Sequence, residues 1–290
     1  METTLPAIKR VIIAAHPDVP EALALVDGIG RFLTEHGINE SHGKIYDPGI
    51  RQAVRDGGVD LFIALGGDGT MLRAGHLCAP YKIPILGINL GRFGFLTTVQ
   101  SENWKSTLEQ VVAGDCWHER RMMLHTEHQR QNETLGAWEV VNECFVGRGD
   151  TMRPVHLVTE IDDYVLTTYV ADGLIVATAT GSTAYALAAG GPILPPQLRN
   201  ILIVPVAPHL SVERAVVLDE NSSVRVTIDS KHAAVLTIDG QVSTPLQYGD
   251  QVVVSASDHN VKFVRVQSPD YFYRNLTSRM SKNPSAGAST

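Results

Sequence analysis

Leu61-Phe62-Ile63-Ala64-Leu65-Gly66-Gly67-Asp68-Gly69-Thr70 is a run of five apolar residues that stops abruptly in a turn of three glycines, an aspartate and a threonine. So short and unbroken an apolar run fits a strand covered on both faces. The pattern that follows is helical and predicts a helix beginning near Met71. Strand, glycine turn and helix together form the repeating unit of a parallel α/β sheet. Upstream, residues 11–15 are a second solid apolar run. Ala22, Val26, Ile29 and Leu33 then recur at helical spacing, and Gly37 falls where a left-handed helix cap is expected. Downstream, residues 83–88 read as a further strand.

The pattern changes after Trp117. From there to Gln267 short runs rich in Val, Ile, Thr and Leu follow one another, and the turns between them carry Asp-Asp, Asp-Gly and Gly-Asp. Many strands at close spacing point to a largely antiparallel sandwich. Residues 181–189, Ala-rich between glycines, predict one short helix inside it. The small, polar residues 281–290 read as a frayed tail. A chain of 290 residues exceeds what one core usually serves. Two domains are therefore expected: an N-terminal α/β domain over residues 1–117 and an all-β, sandwich-like C-terminal domain over residues 118–267.

Composition narrows the class of protein. Apolar residues make up 44% and charged residues 19%, ordinary globular usage that argues against disorder. No apolar stretch approaches the ~18 residues of a membrane span, and residues 1–7 lack the pattern of a signal peptide. Cys78, Cys116 and Cys144 are odd in number and far apart, so they read as buried small hydrophobes in a reducing cytoplasm. A net charge of −7 disfavours nucleic acid as a partner while leaving room for a local basic pocket.

The turn at residues 66–70 carries the first chemistry. Its glycines let backbone approach a ligand closely, and the helix it opens presents unpartnered N–H groups that favour phosphate. Asp68 places negative charge where phosphate would sit, which is costly unless the carboxylate has work to do. Such a group can hold a divalent cation or accept the proton of an attacking hydroxyl. The second informative stretch runs from Ala171-Asp172-Gly173 through Thr180-Gly181-Ser182-Thr183-Ala184-Tyr185 to Gly190-Gly191-Pro192. It reads as a strand, a turn of hydroxyls and glycine, and a small-residue helix beside an aromatic. That combination suits a purine and its ribose.

Together the two stretches resemble the NAD kinase family, which pairs a GGDG turn with a DGLIxxTPTGSTAYxLxAGGPI segment. Further matches occur in order: Gly87-Ile88-Asn89-Leu90-Gly91-Arg92-Phe93-Gly94-Phe95-Leu96, Arg121-Met122-Met123-Leu124, Asn142-Glu143, Pro208-His209-Leu210-Ser211 and Asp239-Gly240-Gln241. The resemblance covers residues 11–280. It implies the same α/β plus β-sandwich architecture, with residues 268–290 returning to the first domain, and a homodimer or homotetramer. It implies a cytoplasmic enzyme that phosphorylates the 2′-hydroxyl of the adenosine ribose of NAD, using ATP or polyphosphate and a divalent cation such as Mg2+. Asp68 would take the hydroxyl proton, with Gly66, Gly67, Gly69 and Thr70 at the phosphates. Asn142 and Glu143 would hold the adenosine moiety, Thr183, Ala184 and Tyr185 would line the adenine pocket, His209 would lie near the substrate, and Asp172 would meet the nicotinamide end.

Departures from the family pattern are few. Ala179 stands where proline is usual, which would loosen the turn, Phe93 replaces a leucine, and Gly147-Arg148-Gly149-Asp150 replaces a His-Arg pair. Val170, two before the Asp-Gly pair, supplies no cation to discriminate NAD from NADH, so NADH is an expected second acceptor. A lipid kinase would share the GGDGT turn but leaves residues 172–185 without a role, and a non-catalytic dinucleotide-binding protein leaves Asp68 without one. His16 reads as a loop histidine; His118, His125, His128, His156, His232 and His259 read as surface residues. Trp104, Trp117 and Trp138 read as packing residues.

Overall fold

The computed structural model describes residues 7–17, 21–91, 94–149, 153–209 and 212–281. Arg92, Phe93, Asp150, Leu210 and Ser211 of the motifs, and the tail beyond Ser281, lie outside the described residues. The chain forms two compact units, one of residues 1–120 with 260–290 and the other of residues 121–259.

The first unit alternates strand and helix: β1 (Arg10–Ala15), α1 (Glu21–Glu35), β2 (Asn39–Lys44), α2 (Pro48–Arg55), β3 (Leu61–Leu65), α3 (Asp68–Cys78), β4 (Ile85–Asn89), β5 (Val99–Gln100) and α4 (Trp104–Ala113). Pairing in the order β4-β3-β1-β2 is parallel throughout. The chain winds outward from β1 to β2 and then returns to lay β3 on the other side of β1. In such sheets ligands bind beyond the carboxyl ends of the strands where the winding reverses, and the glycine turn sits at that end of β3. There the His16 N–H donates to the Leu65 carbonyl at 3.0 Å. β1, β3 and β4 are buried on both faces, which is why they read as solid apolar runs. Ala22, Val26, Ile29 and Leu33 of α1 join them in one core. Trp104 packs edge-on against Phe32 in that core. The Trp117 indole donates to the Gln267 carbonyl at 2.7 Å.

The chain continues through β6 (Trp117–Arg130), β7 (Glu133–Val140), β8 (Glu143–Arg148), β9 (Val155–Ile161), β10 (Tyr164–Ala171), β11 (Gly173–Thr178), α5 (Tyr185–Ala188), β12 (Asn200–Val206), β13 (Val216–Asp219), β14 (Val224–Ile228), β15 (Ala234–Ile238), β16 (Val242–Leu246), β17 (Gln251–Arg265) and α6 (Tyr271–Ser281). In the second unit one antiparallel sheet has the order β13-β12-β11-β8-β15-β16. Its Cys144, Val146, Leu174, Val176 and Leu236 pack against Leu157, Val224, Val226, Val252 and Val254 of the other strands. This is a sandwich core, and Trp138 lies along it. β11 also buries its second face, where Ile175 and Ala177 meet Ala186, Leu202 and Val204.

Three expectations need correction. The helix after the glycine turn starts at Asp68 rather than near Met71, because an N-terminal turn needs no apolar face. His128 is not a surface residue: it is 2% exposed, since a carboxylate lies against it (below). Ala179 does not leave its turn loose, because its carbonyl takes the Ser182 hydroxyl at 2.7 Å and Gly181 N–H donates to Thr178 Oγ1 at 3.1 Å. The three cysteines are buried and free, as expected.

Candidate functional site

In the first unit Gly67 caps α3 without a side chain, so the opening N–H groups are available to an anion. Gly67 and Gly69 are exposed, whereas Gly66 and Thr70 are buried. The two buried residues need each other. A Cβ on Gly66, whose φ is +155°, would lie 2.3 Å from Thr70 Oγ1. That hydroxyl is buried and makes no hydrogen bond among the described residues.

Asp68 opens the helix, and its carboxylate is pinned from across the site. The Phe95 N–H donates to Oδ2 at 2.7 Å and the Leu96 N–H to Oδ1 at 3.1 Å. A Cβ on Gly94 would fall 2.0 Å from Asp68 Oδ1, so only glycine lets this loop close over the carboxylate. An ionised carboxylate has about four acceptor positions. Among the described residues two are filled, one on each oxygen, which leaves an oriented acceptor on each for a hydroxyl or a cation.

The second unit gathers most of its predicted residues at one end of β8 and β11. Asp239 is the organiser. Its carboxylate accepts the N–H groups of Val141, Asn142 and Glu143 at 2.8, 2.7 and 3.0 Å, and its own backbone is left-handed at φ +46°. Asn142 in turn fastens the next turn, since its carbonyl accepts the Thr178 N–H at 2.8 Å. A Cβ on Gly181 would sit 2.2 Å from that same oxygen. Arg121, 2% exposed, donates to Thr180 Oγ1 at 3.2 Å. Thr183 bonds back to the Thr180 carbonyl at 3.2 Å. Ala184 is half-buried, and Tyr185 is exposed with its ring edge-on to Phe145.

Asp172 and His209 stand apart from this group. They occupy the opposite end of β11, where Arg148 Nε lies 3.2 Å from Asp172 Oδ1 and the His209 N–H donates to the Val170 carbonyl at 2.7 Å. A six-residue strand separates the two groups by roughly 20 Å at ~3.4 Å per residue. Asp239 and Arg121 were visible only as members of matching motifs, with no role attached. A polar triplet closing a tight turn, and a lone arginine opening an apolar run, were the available signals.

Burial, reinforced by the negative charge of Asp239, pushes the Glu143 carboxyl up from 4.5 to about 8. Its Oε2 is buried and has no hydrogen-bond partner among the described residues. The folded chain therefore keeps a proton that the unfolded chain releases above about 4.5, so this group makes stability fall as pH rises from about 4.5 to about 8. Glu143→Gln, which cannot ionise, should gain roughly 4 kcal/mol on the parent between about pH 5 and about pH 9. Denaturation at both values checks this; an identical difference at the two would show that Glu143 is not the titrating group.

Residues 50–116 match the family model of the ATP-NAD kinase N-terminal domain, and residues 141–266 that of the ATP-NAD kinase C-terminal domain. An NAD kinase of Chloroflexus aggregans is 38% identical over 281 residues, 95% of this chain and 100% of that protein. An NAD kinase of Geobacter sulfurreducens is 42% identical over 214 residues, 73% of this chain and 75% of that protein. Among solved structures, yeast NADH kinase complexed with NADH superposes with a TM-score of 0.81 at 25% identity, covering 98% of this chain and 91% of that one. An NAD kinase from Archaeoglobus fulgidus in complex with ATP has the same fold, with a TM-score of 0.73 at 24% identity over 93% of this chain and 98% of that one. With a sandwich whose Asn142-Glu143 and Thr178–Thr183 segments are tied together and a glycine turn that presents one pinned carboxylate, the chain belongs to the NAD kinase family.

Proposed function

We propose that the chain transfers the terminal phosphoryl group of ATP to the 2′-hydroxyl of the adenosine ribose of NAD, giving NADP and ADP. The observation that carries this reading is the pinned carboxylate of Asp68 at the uncapped start of α3. The ribose hydroxyl gives its proton to Asp68, its oxygen bonds to the γ-phosphorus, and the bond to the ADP oxygen breaks. Most of the catalysis in such transfers is positioning and charge stabilisation. Gly67, Gly69 and the first turn of α3 would receive the phosphates, while Asn142, Glu143 and Thr183 hold the adenosine and Tyr185 flanks the base.

A divalent cation fits the same place. Among the described residues no three His, Cys, Asp or Glu side chains converge as a protein cage. Mg2+ ordinarily uses one or two carboxylates with water and substrate phosphates, and Asp68 is the carboxylate in the phosphate turn. The cation neutralises phosphate charge when bound. The direct test is NADP formation from NAD, ATP and Mg2+ by the purified protein, with polyphosphate as a second donor; no NADP from either donor would overturn the reading.

The acceptor range follows from the Asp172 end. Two unit charges ~4–6 Å apart at an effective dielectric near 20 interact by about 3–4 kcal/mol, enough for a hundredfold selectivity. Here the charge of Asp172 is matched by Arg148, and neighbouring Val170 is apolar, so little net field distinguishes a charged nicotinamide from its reduced ring. NADH should be phosphorylated within about tenfold of the kcat/KM for NAD, a difference below about 1.4 kcal/mol. A preference above about a hundredfold would exclude this account.

Assembly as a homodimer or homotetramer in the cytoplasm completes the proposal. Support comes from β10, which ends its sheet in the strand order and exposes Tyr164 and Val165 by 80% and 64%. Among the described residues no helix is long and apolar enough to cross a membrane.

A further inference from the structure

Behind the loop that pins Asp68 lies a buried polar cluster that no step of the proposed reaction uses. Arg265 and Glu119 are each 1% exposed. The guanidinium Nε donates to Glu119 Oε2 at 2.8 Å, and Nη2 lies 2.7 Å from the same oxygen. The other oxygen, Oε1, accepts the Tyr271 hydroxyl at 2.7 Å. Tyr271 is in the first turn of α6, and its ring lies 5.4 Å from the guanidinium carbon, with the Phe263 ring at 4.8 Å.

The outward reach of Arg265 connects this cluster to the reaction. Nη2 donates to the Leu96 carbonyl at 3.0 Å, and Nη1 lies 3.4 Å from Thr98 Oγ1. Gln267 Nε2 donates to the Thr98 carbonyl at 3.1 Å. Leu96 is therefore held at both ends of one residue: its carbonyl by Arg265 and its N–H by Asp68 Oδ1. A two-residue shift along the loop reaches Phe95 and Gly94, the other groups that fix the carboxylate. A bonded guanidinium in a dry setting is a stiff anchor, since its planar fork is pre-organised.

We propose that Arg265, locked by Glu119 and Tyr271, is a positioning residue that sets the orientation of Asp68 through the Leu96 backbone. The inference rests on the reading of Asp68 as the base. It assigns α6 a part in turnover, because the Tyr271 hydroxyl is one of the groups that fix Glu119. Outer hydrogen-bond partners of this kind commonly shift activity without touching substrate.

The experiment is a double-mutant cycle on the full chain, with steady-state kcat and KM for NAD measured in each variant. Tyr271→Phe keeps the ring and removes one hydroxyl, so it is the mild probe; Arg265→Lys keeps the charge and loses the fork. Tyr271→Phe should lower kcat about three- to tenfold with KM for NAD within about twofold. In an Asp68→Asn background the same change should have no further effect on kcat, because groups that act through one another are not additive. A parental kcat in Tyr271→Phe, or an equal fold-loss with and without the Asp68 carboxylate, overturns the inference. Failure of the base reading is seen separately, as near-parental kcat in Asp68→Asn alone. If Arg265→Lys does not fold, Tyr271→Phe alone decides.

Discussion

Asp68→Asn is expected to lower kcat by about 10²–10⁴ while NAD affinity stays within about threefold. The amide keeps the size of the carboxylate but cannot accept the ribose proton, and general-base assistance is typically worth that factor, or about 3–5 kcal/mol of barrier. The structure adds a second, smaller effect. Asp68 accepts an N–H on each oxygen, from Phe95 and from Leu96, whereas asparagine offers one acceptor and one donor group. One of the two loop bonds must be lost, at a cost of about 1 kcal/mol. The loop effect should appear in stability and the base effect in kcat, so the two separate cleanly. Calorimetric titration with NAD and a thermal melt accompany the kinetics. A variant that kept more than about a tenth of the parental kcat would remove Asp68 from the proton transfer.

Much of this was legible because the decisive residues are consecutive. β3 and the turn after it form one ten-residue stretch, and β11 with its turn another. Both strands are buried on both faces, so their apolar runs carry no ambiguity of face. β2 escaped notice for the opposite reason. Its sequence is Asn-Glu-Ser-His-Gly-Lys, it ends the sheet, and no residue in it is fully buried. Only backbone pairing with β1 makes it a strand, and backbone pairing leaves no mark in side-chain pattern. β6 was hidden because its buried residues include Glu119, Arg121 and His128, whose types predict exposure. Arg265 and Asp250, the partners of Glu119 and His128, lie more than 100 positions away, and Thr180, which Arg121 meets, lies 59 away. The same holds within the candidate site. The Asn142-Glu143 pair was readable, but the carboxylate that shapes it, Asp239, is almost 100 positions downstream.

Asp250→Ala should be the most destabilising of the single changes considered, by about 3–5 kcal/mol. The carboxylate is fully buried and takes donors from three residues. It accepts Arg130 Nε and Nη2 at 2.7 and 2.9 Å, His128 Nε2 lies 2.8 Å away, and the Gln247 N–H donates at 2.8 Å. Burial pushes its carboxyl up, but the Arg130 guanidinium, the Gln247 N–H and His128 together outweigh that and hold it at about 2. Alanine strands these donors unequally. Arg130 is 35% exposed and can return to water, whereas His128, at 3%, cannot, so the penalty comes mainly from the histidine and the backbone amide. Sign and pH window follow from the depressed value. The carboxylate's contribution is complete above about pH 4 and is lost as pH falls toward about 2. The gap between parent and variant should therefore be constant from neutrality down to about pH 4 and shrink below it. Urea unfolding followed by fluorescence in a Trp104→Phe, Trp117→Phe background, which leaves Trp138 as the emitter, reads the unit that contains Asp250, because Trp138 packs on that unit's core. A loss smaller than about 1 kcal/mol at neutral pH would mean that apolar packing alone holds β6 and β17, and that the buried charges add nothing to the fold.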